Sequence, residues 1–131
     1  MDVLPSDFDL FWLFEVEPQI QGPPDLPDAY KSRQYTTVRQ NDTVECVMDL
    51  GDNRFDLRWS RDGVILVNVT LRDVIGYRVQ KLKESQLLVV ISRLSGVAPL
   101  LLQMRPTIQV TWETDPFYRF SPEDMDTTAL P

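Results

Sequence analysis

The chain has 131 residues, 43% of them hydrophobic, enough for one domain of ordinary size with a core of its own. It contains no histidine and a single cysteine, Cys46, which excludes an internal disulfide, a cysteine metal cluster and every Ser-His or Cys-His nucleophile. The net charge of −7 is uneven: residues 1–30 hold seven acids and no Lys or Arg, residues 115–131 four acids against Arg119, and residues 31–114 twelve basic against nine acidic groups.

The first segment, from Ser6 to Glu17, is densely aromatic within an acidic frame. Ser6 is a possible helix cap, and Phe8, Phe11, Trp12 and Glu15 recur at helical spacing. Read with period two, Phe8, Leu10, Trp12 and Phe14 share a face instead, so periodicity leaves helix and strand both open. Pro18, Gly22, Pro23, Pro24 and Pro27 then exclude regular helix and predict an extended linker.

From Tyr35 the pattern becomes β-like. Val44, Cys46 and Met48 alternate with Glu45 and Asp49, Gly51-Asp52-Asn53 forms a turn, and Phe55, Leu57 and Trp59 alternate with Asp56, Arg58 and Ser60. Arg61-Asp62-Gly63 between two apolar runs predicts a hairpin of 55–60 with 64–69. Further strands are predicted over 75–79, over the almost wholly apolar 87–91, which should be buried on both faces, and over 100–104 after a Ser95-Gly96 turn. Ile108, Val110 and Trp112 alternate in a last strand, after which the acidic, turn-rich tail shows no apolar periodicity. Short strands with turns about every ten residues point to a sandwich or barrel.

The segment from Asp42 to Leu66 resembles strands B, C and C′ of an immunoglobulin-like domain, with Cys46 on B, Trp59 thirteen residues later on C, and the Arg-Asp-Gly turn following. The stretch 85–92 is similar to strand E, and 93–97 to the turn into strand F. The family's second cysteine and its tyrosine are absent: Ala98 stands at the tyrosine position and Leu100 at the cysteine position. The resemblance implies an all-β, immunoglobulin-like antiparallel β-sandwich over 31–114, with Trp59 packed on Cys46 and Leu100 in its centre. Residues 1–30 would then be an acidic, Pro-rich N-terminal arm and 115–131 an acidic C-terminal tail.

Functionally, the sequence points to a non-catalytic protein-binding module with no cofactor and no metal. The five glycines are scattered singly rather than gathered in a phosphate loop, and Cys46 sits mid-strand as an inert core thiol. The acidic pairs Asp7/Asp9 and Asp49/Asp52 read as solvated turn residues rather than as calcium ligands. No dense basic stripe favours nucleic acid, and no run reaches the roughly 20 apolar residues of a membrane-spanning helix. The N-terminus does not read as a secretory signal.

Candidate partner-binding residues are the aromatic Phe8, Phe11 and Trp12, the basic set Arg72, Arg78, Lys81 and Lys83, and the tail aromatics Phe117 and Tyr118. The basic set reads as a solvated strand face, or as a patch that would accept an acidic partner or the chain's own acidic arm. The expected partner is a protein, in a homo- or hetero-dimer. Two sequons, at Asn41 and Asn68, suit an extracellular or cell-surface receptor, adhesion or secreted ectodomain. The unpaired Cys46 suits instead a cytoplasmic or nuclear adaptor that docks through the acidic-aromatic segment, folding as a short helix in a partner's groove.

Overall fold

The structure, a computed structural model, describes residues 4–27, 30–93 and 98–112. It contains one helix, α1 (Asp7–Phe14), and nine strands: β1 (Gln19–Gln21), β2 (Ser32–Arg39), β3 (Asp42–Asp49), β4 (Arg54–Arg61), β5 (Val64–Leu71), β6 (Val74–Lys81), β7 (Gln86–Ser92), β8 (Leu100–Arg105) and β9 (Gln109–Thr111). The chain divides into two compact units, one of residues 1–13 with 75–131 and the other of residues 14–74. The strands make two sheets whose described pairings are antiparallel, so the expected all-β class is met.

The unit of residues 14–74 is a five-stranded meander in the order β1-β2-β3-β4-β5. Its strands alternate because side chains on a pleated strand point to opposite faces. Tyr35, Val44, Cys46, Met48, Phe55, Leu57 and Leu71 fall on one face and are buried. Phe14 joins them, its ring stacked on Tyr35 at 4.6 Å, and its carbonyl accepts a buried hydrogen bond of 2.8 Å from the Thr37 hydroxyl. The predicted hairpin is present: Arg61 faces Val64 across the two-residue loop Asp62-Gly63. Both loop residues have positive φ (52° and 79°), the conformation that Asp-Gly adopts in a twist-matched hairpin turn. The 49–54 turn closes with the Asp49 carboxylate accepting the Asp52 amide at 3.1 Å.

Three expectations are corrected here. The Pro-rich stretch contains a short strand, β1, held by its pairing with β2 at Gln19–Gln34 and Gln21–Ser32. The immunoglobulin-like order puts strands B and C in opposite sheets, whereas β3 and β4 are neighbours in one sheet, with Cys46 opposite Leu57 and Val44 opposite Trp59. Trp59 is therefore no central plug. It is half-buried beside the β4–β5 hairpin, on the same face as Cys46 but one row further toward the strand end.

In the other unit, β6, β7, β8 and β9 lie in that order. The expectation for residues 87–91 holds: Leu87 to Ile91 are all buried, so β7 is covered on both faces. Leu88 opposes Leu102 and Val90 opposes Leu100, which is itself fully buried. β9 is shorter than the 108–112 alternation predicts, and beyond it the Trp112 indole donates to the Ala98 carbonyl at 3.1 Å. The open choice over residues 8–14 resolves as helix. Ser6 caps α1, its hydroxyl accepting the Asp9 amide at 3.1 Å and its carbonyl the Leu10 amide. Leu10 and Leu13 are fully buried, and Lys81 at the end of β6 bonds Asp9 at 2.9 Å. No helix among the described residues is long and apolar enough to cross a membrane.

Candidate protein-binding surfaces

Register in the five-stranded sheet lines up three rows on the face opposite its buried side. One row is Val38, Thr43, Ser60 and Ile65, without charge. The next is Thr36, Glu45, Arg58 and Asn68, and the third Gln34, Val47, Asp56 and Thr70. The charged rows border a shallow cleft of about 290 Å³ lined by Glu45, Val47, Asp56, Arg58, Asn68 and Thr70. That is at or below the ~300–1,000 Å³ of clefts that enclose small ligands.

The acidic groups of this cleft are satisfied from within the sheet. Asp56 accepts the Thr70 hydroxyl at 2.7 Å and the Arg54 guanidinium at 3.1 Å, and Glu45 lies 3.9 Å from Arg58. Arg54 also reaches Asp49 at 3.5 Å and Asp52 at 3.7 Å, so the acidic pair at that turn is neutralised by the chain's own cation. No group of three or more His, Cys, Asp or Glu among the described residues is arranged to hold a metal ion.

At the hairpin corner, Asp42 Oδ1 accepts from both Trp59 Nε1 (3.1 Å) and Arg61 Nε (2.8 Å). The Arg61 guanidinium lies 5.5 Å from the Trp59 ring centroid, within cation–π range. Hydrogen bonds from Arg61 and then Trp59 hold the Asp42 carboxyl below its usual 3.8. The indole that the immunoglobulin resemblance sends to the core thus serves a surface ion pair.

The sheet ends in an exposed edge. Val64, Ile65 and Leu66 on β5 are 61%, 54% and 47% exposed, and Asn68 and Thr70 are exposed beyond them. Sequence reasoning recognised β5 as a strand but not its edge position, because strand order is not written in periodicity. The absence of any charge across Val64–Leu71 was the one available signal.

The sequence-predicted binding residues distribute as follows. On α1, Phe8 and Phe11 are 71% and 47% exposed, while Trp12 is half-buried with the Lys81 ammonium and the Arg105 guanidinium each 4.5 Å from its ring centroid. Lys81 also lies 5.8 Å from the Phe8 ring. Lys81 therefore serves the chain's own acidic-aromatic segment. Arg105, which completes the arrangement with a hydrogen bond to the Trp12 carbonyl, carried no sequence signal. Arg78 is half-buried and Lys83 exposed in the same unit, whereas exposed Arg72 belongs to residues 14–74. Asn41 is exposed at the β2–β3 turn, and Asn68 is exposed on the cleft. Phe117 and Tyr118 lie outside the described residues. Cys46 is fully buried, and burial pushes its thiol far above the usual range, out of reach of nucleophilic chemistry at neutral pH.

The fold is of the all-β class, with a five-stranded meander and a four-stranded sheet. A solved chain with a similar fold comes from a contact-dependent growth inhibition toxin–immunity protein complex of Klebsiella pneumoniae 342; it matches with a TM-score of 0.71 over 86% of this chain and 96% of that one. Identity is 12%, so the likeness is one of fold. No family model matches the sequence, and no curated protein matches it.

Proposed function

We propose that this chain is a non-catalytic protein-binding module that acts as the immunity-type half of a toxin–immunity pair, neutralising a toxin by covering it. The observation that carries this reading is the fold shared, over nearly the whole of both chains, with a member of such a complex. The chemistry is compatible: the chain has no histidine, and its one thiol is buried. A net charge of −7 would steer it toward a basic partner, raising the encounter rate at low salt. The shallow outer face of the five-stranded sheet, with an uncharged row beside two charged ones, offers an extended contact rather than a small-molecule pocket.

The test is co-expression with a panel of cloned growth-inhibition toxin domains. Growth rescue by one of them, together with a stoichiometric complex on size-exclusion chromatography, is the expected result. Absence of both rescue and complex across the panel refutes the reading.

A second reading is a receptor, adhesion or secreted ectodomain. It is favoured by the exposure of both sequon asparagines, Asn41 and Asn68. Expression through a secretory host should then add glycan mass at both sites, and an unshifted mass counts against it.

A further inference from the structure

We propose that the outward side of α1, where Phe8 and Phe11 stand together, anchors a basic amphipathic helix of a partner protein.

Phe8 and Phe11 are neighbours at the i, i+3 spacing of the helix surface and are 71% and 47% exposed. Both sit on a helix that is held firmly. Ser6 caps it through the Asp9 amide, and its Leu10 and Leu13 are fully buried. Lys81 and Arg105 fasten it through Asp9 and Trp12. A partner therefore meets two preplaced aromatic rings, and little ordering entropy remains to be lost on docking.

The contacts of α1 show which chemistry suits its outer side. Its inner acidic-aromatic pair already takes two cations. The Lys81 ammonium lies 2.9 Å from Asp9 and 4.5 Å from the Trp12 ring centroid, and the Arg105 guanidinium lies 4.5 Å from the same centroid. Lys81 also stands 5.8 Å from the Phe8 ring, which leaves that ring largely open to solvent. Phe8 and Phe11 carry the same ring chemistry outward, within a segment, residues 1–30, that holds seven acids and no Lys or Arg. Lys or Arg of a partner is drawn to that charge and seats on the ring faces, while the aliphatic residues between them cover the ring edges.

Charge and area both argue against other occupants. A second copy would set one acidic segment against another, and an anionic membrane surface would repel it. Two Phe side chains bury at most about 300–500 Å². That is less than the roughly 800 Å² per partner of a standard interface, and it suits one helix laid across the ridge. This docking rests on α1 alone and is independent of the toxin–immunity reading.

Titration of the full chain with a synthetic amphipathic helix of Leu and Lys, followed by amide chemical shifts, tests it. Saturable binding is expected, with the shifts centred on residues 7–11. Phe8→Ser combined with Phe11→Ser keeps every charge and should weaken binding by about tenfold or more. The same peptide with Glu in place of Lys should not bind. Absence of saturation, shifts centred on the strands, equal binding of the Glu peptide, or indifference to the double substitution each overturns the inference. So does a dimer of the parent chain that the double substitution abolishes, or tighter binding to phosphatidylcholine–phosphatidylglycerol vesicles than to the peptide. Circular dichroism checks that the double variant keeps its fold, and the shift map of the parent decides the question where it does not.

Discussion

Replacing Phe14 by Ala tests the core of residues 14–74. Phe14 is fully buried, its ring lies 4.6 Å from that of Tyr35 at an interplanar angle of 18°, and no polar atom of its side chain is involved. Burial of this completeness puts Phe14→Ala in the range of about 3–5 kcal/mol, transfer and cavity terms together. The stacked pair itself accounts for about 0.5–1.5 kcal/mol of that. The bond from the Thr37 hydroxyl goes to the Phe14 backbone, so it survives the substitution and does not inflate the figure. Domains of this kind have about 5–15 kcal/mol in total, so the variant should lose a large fraction of its stability. With a urea slope of ~1–3 kcal/mol/M, the midpoint should fall by about 1 M or more at an unchanged slope. A double-mutant cycle of Phe14→Leu with Tyr35→Leu should return a coupling of about 0.5–1.5 kcal/mol. A loss below about 1 kcal/mol for Phe14→Ala, or a cycle that closes additively, refutes the packing described here.

Four further outcomes follow from particular contacts. Cys46 should resist a thiol reagent in the native protein and react at once in denaturant, since it is fully buried and its thiol is held far above its usual range. Asp42 titrates lower folded than unfolded, so the stability it contributes is present above its ordinary 3.8 and is lost as the pH falls through the folded value. Asp42→Asn should therefore destabilise at pH 7 but converge with the parent in strong acid, as urea midpoints at the two pH values will show. Lys81→Met removes the ion pair to Asp9 and the cation over the Trp12 and Phe8 rings, and should cost about 1–2 kcal/mol by equilibrium unfolding at low salt. Gly63→Ala should cost about 1 kcal/mol by the same measurement: a Cβ there meets nothing within 4 Å, so the penalty comes from the positive φ of 79° alone.

What could be read from the sequence was whatever depends on near neighbours in the chain. Asp62-Gly63 specified its hairpin because a tight turn requires two residues that tolerate positive φ. The run Leu87 to Ile91 specified a doubly buried strand because no polar residue interrupts it. The choice over residues 8–14 turned on distant residues, Lys81 and Arg105, which hold α1 through Asp9 and Trp12. β1 has three exposed residues and no strand signal of its own, and exists through its pairing with β2.

The immunoglobulin resemblance shows how a spacing can mislead. Thirteen residues separate Cys46 from Trp59 whether the chain crosses to a second sheet or turns back within the same one. Here the four-residue turn after Asp49 takes the second course, and register places Trp59 opposite Val44, one row along the same face from Cys46. Linear distance fixes which face a residue occupies relative to its partner strand, through the period of two, but not which sheet that strand joins.

The same logic governs the exposed edge of the five-stranded sheet. VILVNVTL in the position of β7 would be interior, yet at the end of the meander Val64, Ile65 and Leu66 face solvent. An exposed surface made this way has no motif, because its residues are those of an ordinary core strand and only the strand order exposes them. The edge and the outer face also present different chemistry. The edge offers the exposed Val64, Ile65 and Leu66, while the face offers the uncharged row of Val38, Thr43, Ser60 and Ile65 beside the charged rows that carry Glu45, Arg58 and Asp56.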